Sequence, residues 1–213
     1  MKCIGYYLKE IIPVPSYICL PVDKLLSVSS CISVNHPPMY PNKRADHKFM
    51  KQYRDMMDIS QERLNELLQY TDALLGKKQI TLDGCFLHEA DAKHARAYLS
   101  SKRDIKVIGI SIDEKYLSLL RDVGEFENMI VPDYEDTDGM FLGYEILGYE
   151  MGSFHSYLCN NLEKTLREKF TVEFTSCGLI KNSIREIEFF CNYIRNMGEP
   201  VRWIPVAVYD CGE

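Results

Sequence analysis

The sequence predicts a domain of α/β or α+β class: a mixed β-sheet with amphipathic helices packed on it around a single main core. Three observations carry that expectation. Strand-like and helix-like stretches interleave from residue 77 onward, as they do in layered sheet-and-helix domains. Ile105, Val107, Ile108, Ile110 and Ile112 make a nearly continuous apolar run of strand length, suited to a strand covered on both faces. Leu64, Leu67, Leu68, Leu74 and Leu75 recur with the helical period, so one side of that segment is apolar.

In chain order, residues 1–45 hold Pro13, Pro15, Pro21, Pro37, Pro38 and Pro41, separated by short runs rich in Ile, Val and Ser. This reads as irregular structure with one or two strands, one of them at Ser27–Val34, in a lobe that wraps the core. Asp58 or Ser60 can cap the leucine-striped helix, which Gly76 stops. Lys77–Leu87 is strand-like with a bend at Asp83-Gly84, and Glu89–Leu99 is a more polar helix. After the apolar strand, Ser111 or Asp113 caps a helix with Leu117 and Leu120 inward and Gly124 at its end. Residues 125–140 form an acidic connection containing Asp133, Glu135, Asp136 and Asp138.

A central strand follows at Phe141–Tyr149. Ser153 then opens a long predicted helix whose Phe154, Tyr157, Leu158, Leu162, Leu166 and Phe170 keep the helical period. Thr171–Thr175 alternates and Gly178 breaks it. Ser183 with Glu186 forms a capping box for a helix through Met197, whose buried stripe is Ile184, Ile187, Cys191 and Ile194. Val201–Tyr209 is a closing strand, and Pro205 within it argues for an edge position or a bulge. With no repeat and no long linker, residues 1–213 read as one domain.

Composition narrows the function. The chain has 213 residues, 46% hydrophobic and 26% charged, which suffices for one large core. A formal charge of -6 disfavours nucleic-acid binding, which draws its affinity from clustered Lys and Arg, and favours a basic protein partner. Eight cysteines lie scattered, without a CxxC pair, so free and mostly buried thiols in a reducing cytoplasm are expected. The opening MKCIGYYLKEIIPVP lacks the pattern of a secretory signal, and no apolar window is long enough to span a bilayer.

Candidate chemistry gathers in Phe141–Phe170, which contains Glu145, Glu150, His155, Ser156 and Cys159. On the predicted helix His155 and Cys159 share a side, a possible base and thiol nucleophile, although neighbouring leucines favour a small buried cysteine. Neither an orienting third group nor an oxyanion donor can be named for them. His88 and His94 stand six apart in HEADAKH and would face opposite sides of a helix, which opposes a metal site. The run from Tyr134 to Glu145 matches calcium-loop spacing at Asp136, Asp138, Gly139 and Glu145, but Tyr134 replaces the first acid. Gly143, Gly148 and Gly152 spell no nucleotide-binding motif. No cofactor and no metal are expected. The sharper reading of the acids is a docking patch, in which they steer a basic partner onto aromatic anchors at Tyr134, Tyr144 and Tyr149.

Gly143-Tyr144-Glu145-Ile146-Leu147-Gly148, then Phe154-His155-Ser156-Tyr157-Leu158-Cys159-Asn160, the capping-box helix and Trp203-Ile204-Pro205-Val206 resemble parts of a known family. The resemblance, over roughly residues 80–213, is to the C-terminal half of small bacterial immunity proteins of polymorphic toxin and contact-dependent inhibition systems. It implies a cytoplasmic, non-enzymatic protein that occludes a cognate toxin domain, often a basic nuclease, by stoichiometric binding. It carries over no individual binding residue. On expected exposure, the partner-binding candidates are Asp136, Asp138, Tyr149, Glu150 and His155. The alternative is a small hydrolase or transferase using Cys159 and His155. The oligomeric state is left open.

Overall fold

A computed structural model of the chain describes residues 1–11, 26–28, 47–81, 84–99, 102–121, 139–150, 153–200 and 202–212. Its frame is a curled five-stranded sheet of β1 (Lys2–Glu10), β2 (Ile105–Ile112), β3 (Met140–Glu150), β4 (Ser153–Ser156) and β5 (Trp203–Asp210). The strand order is β1-β2-β5-β3-β4 and every pairing is antiparallel, so the domain is of the α+β kind.

Strand alternation sorts the side chains onto two faces. Tyr7, Ile108, Ile110, Ile112, Leu147, Ile204, Val206 and Val208 fill the inner face together with Leu26 and Val28. The opposite, outer face is covered twice. Over β1 and β2 lie α1 (His47–Met57), α2 (Gln61–Gly76) and α3 (Glu89–Arg96), packed on Leu8, Ile105 and Val107. Over β3 and β5 lie α5 (Leu162–Lys169) and α6 (Ile184–Tyr193), packed on Ile146 and Trp203. Seven of the eight residues of β2 are buried, as its apolar run predicts. Each aliphatic side chain so covered contributes about 1.5–3 kcal/mol.

Local signals read from the sequence hold where they were strongest. Ser60 caps α2 through a bond from the Arg63 N–H, and Ser183 and Glu186 form the reciprocal capping box of α6. Asp113 accepts from the Lys115 N–H ahead of a short 3-10 turn that leads into α4 (Leu117–Arg121). That hydrogen bond holds the Asp113 carboxyl below its ordinary range. The described residues of the Lys77–Leu87 stretch are bridge-paired, Phe86 exchanging 2.7 and 2.8 Å backbone bonds with Tyr6.

Three expectations change. The N-terminal stretch is not wholly an irregular lobe: Lys2–Glu10 is a strand of the main sheet, and Leu26–Val28 is buried against the inner face. The remainder of residues 12–46 lies outside the described residues. β5 is the middle strand instead of an edge. Its pairing with β2 covers Ala207–Asp210 only, so at Pro205 the sole paired neighbour is β3 and the strand is locally an edge. Finally, the long helix predicted from Ser153 is a strand, a turn and a short helix. Ser153–Ser156 pairs with β3, Asn161 takes a left-handed conformation at φ 57°, and α5 begins at Leu162. The apparent helical period arose by coincidence, because Phe154 belongs to the inner-face cluster while Leu158, Leu162 and Leu166 belong to the outer one.

Candidate functional site

Strand β3 carries chemistry at its middle and at both ends. In its middle, Glu145 points to the inner face and is only 1% exposed. It accepts hydrogen bonds from the Ser27 hydroxyl and, at 2.8 Å, from the Val28 N–H. Ser156 bonds it as well, and the buried Lys9 acts on it electrostatically. Burial nevertheless dominates and raises the Glu145 carboxyl above its ordinary range, with those bonds pulling the other way. Glu145 is therefore a structural anchor for the Leu26–Val28 crossing. Its place inside the core is incompatible with the last position of a calcium loop, and Ser156 is a buried donor to it.

At the far end of β3, Gly148 faces His155 and Glu150 faces Ser153 across the hairpin. Side chains opposite one another, or two residues along a strand, share a face, which puts Glu150 and His155 on the same side. Gly148 leaves the space into which Pro200 packs, and a Cβ there would overlap the proline ring. That seat draws the segment after α6 across the hairpin. Gly198, at φ +77°, makes the turn against Asn160, and the Glu199 N–H donates to Asn160 Oδ1 at 3.3 Å. Trp203 Nε1 donates to the Met197 carbonyl at 2.8 Å and ties down the other side. Glu199 Oε2 is thereby held 3.5 Å from His155 Nδ1. One ligand-capable atom from each of Glu150, His155 and Glu199 lies within 4.8 Å of the others. Among the described residues this is the one grouping able to hold a metal ion.

At the near end, a register shift between Phe141 and Gly143 bulges β3 against β5. Bulges re-aim side chains, and here Met140 and Phe141 emerge 65% and 49% exposed. The Phe141 ring lies 5.0 Å from Tyr144 and 5.5 Å from Tyr209, both in edge-on contact. The result is an outward aromatic cluster of Phe141 with Tyr144 and Tyr209, next to the exposed Met140 and following the acidic run of residues 133–138 in the sequence.

The candidates named from sequence separate accordingly. Asp136 and Asp138 lie outside the described residues. Tyr149 is no exposed anchor: it faces the inner core and meets Phe154 edge-on at 5.2 Å. Glu150 and His155 are partly buried and belong to the carboxylate–imidazole grouping. Cys159 is exposed in the turn after β4, not a buried hydrophobe, and the helical adjacency to His155 does not exist. Cys3, Cys85, Cys177 and Cys191 are buried as expected. His88 and His94 form no ligand grouping among the described residues; His94 instead packs on Tyr70 and Tyr98.

Two features escaped the sequence reading. Glu199 meets His155 only through the fold, and the available signal was Gly198-Glu199-Pro200 following a helix stop. Met140 and Phe141 read as the start of a strand, and nothing local marks them as outward. Among the described residues no helix is long and apolar enough to cross a membrane. No protein-family model, curated protein or solved structure matches this chain.

Proposed function

We propose that the chain is an acidic cytoplasmic binding protein that neutralises a cognate toxin domain stoichiometrically, as an immunity protein of a polymorphic toxin or contact-dependent inhibition system. The observation that carries this reading is the exposed Met140–Phe141 platform, backed by Tyr144 and Tyr209. An exposed aromatic ring braced by two others can be buried by a partner with little loss of conformational freedom, which is how interface anchors work. The neighbouring acids and the net charge of -6 suit a basic partner, whose approach they would accelerate. Occlusion then needs no reacting group, only a bound surface over the toxin's active site or substrate path.

The test is co-expression with the toxin domain encoded beside this chain's gene. A 1:1 complex that protects the cells and weakens as salt rises supports the proposal, because rim charges are screened. Failure to bind or to protect contradicts it.

A second reading, a thiol hydrolase or transferase, draws on the exposed Cys159 and on Glu199 standing beside His155 as an orienting carboxylate. Cys159→Ser separates the two. A binder keeps its affinity and its protection, whereas a thiol enzyme loses its turnover.

A further inference from the structure

We infer that Glu150, His155 and Glu199 form a binding site for one divalent transition-metal ion, with Zn2+ as the best-suited cation. The ligand set is one imidazole and two carboxylates. Imidazole favours zinc and its neighbours over calcium or magnesium, which prefer six or more oxygens. Two carboxylates with a neutral imidazole also balance the charge of a dication.

The spacing agrees with this chemistry. Zinc bonds of about 2.0–2.2 Å in a tetrahedron place ligand atoms about 3.3–3.6 Å apart. His155 Nδ1 and Glu199 Oε2 are 3.5 Å apart, the length of one such edge. All three ligand atoms fall within 4.8 Å, so a small rotation of the Glu150 carboxylate closes the remaining edges.

The site is built into the backbone as well. Two ligands come from one hairpin, where their faces are fixed by register, and the third comes from a loop seated by Pro200 on Gly148 and by Asn160 on the Glu199 N–H. Glu199 is 72% exposed at its side chain, which leaves the fourth position facing solvent. Water would complete the coordination of an ion bound there. The site lies about 30 Å along β3 from the Met140–Phe141 platform, judged from a strand rise of about 3.3 Å per residue. Metal binding and toxin docking are therefore independent, and either can fail without the other.

The experiment titrates ZnCl2 into chelator-stripped, reduced protein by calorimetry, with a competing chelator to fix the affinity. Wild type is expected to bind one ion per chain at this site. Glu199→Gln, on an exposed side chain that leaves folding intact, is expected to weaken that binding at least tenfold, as is His155→Gln. Cys159→Ser is expected to match wild type, because no sulfur enters the ligand set. The inference is overturned by the lack of a saturable site in wild type, by a Glu199→Gln loss under tenfold, or by binding that disappears with Cys159→Ser.

Discussion

Replacing Glu145 with alanine removes the acceptor for three buried donors, the Ser27 hydroxyl, the Val28 N–H and the Ser156 hydroxyl. A buried donor left unsatisfied costs about 1–3 kcal/mol. These penalties overlap, so the expected loss for Glu145→Ala is about 3–5 kcal/mol. At about 2–4 °C per kcal/mol for a chain of this size, the melting temperature falls by about 6–20 °C. Glutamine keeps an acceptor for the Val28 N–H and offers its amide to the Ser27 oxygen, so Glu145→Gln should cost about 1–2 kcal/mol.

Acid dependence gives an independent check on the same residue. Burial raises the folded-state pKa of Glu145, and a group raised on folding contributes stability that is complete below its unfolded value, about 4.3. That contribution is lost as the pH climbs through the folded value. The advantage of wild type over Glu145→Gln should thus be widest near pH 4 and shrink toward pH 7. Urea unfolding followed by circular dichroism at the two pH values measures both quantities. An alanine variant within about 1 kcal/mol of wild type, or an advantage that grows with pH, would refute the assignment of Glu145 as the buried anchor.

Further outcomes follow from other positions. Gly148→Ala places a methyl group inside the Pro200 ring, and should destabilise the fold by about 1–3 kcal/mol while weakening zinc binding, since Glu199 moves with Pro200; denaturant titration and calorimetry read the two effects, and unchanged values contradict the seat. Iodoacetamide at neutral pH should label exposed Cys159 well before Cys191, whose thiol burial pushes strongly upward. Peptide mapping of the alkylated sites decides the order.

What could be read from the sequence was whatever is settled within a turn or two of chain. The caps at Ser60 and Ser183 and the apolar run of β2 are local and held. Pro205 pointed to an edge position or a bulge for β5, whereas β5 is central and Pro205 lies only where the pairing with β2, a strand far away in the chain, ends short of it. The hairpin after β3 looked helical because Phe154 and Leu158 stand four apart, although they serve opposite faces of the sheet. Glu150 and His155 were picked out for exposure, and they matter here for a different reason, their shared face on the hairpin. Their third partner, Glu199, became visible only once Gly148 and Pro200 were in contact.

The most direct test of the docking reading is the affinity of the adjacent-gene toxin domain for wild type and for Met140→Ser/Phe141→Ser, at low and at physiological salt. Both side chains are outward, so the double variant should stay folded. The predicted result is an affinity loss of at least about a hundredfold, the size of a lost pair of interface anchors, at both salt concentrations. A double variant that binds as tightly as wild type would contradict the platform as the surface that grips a partner.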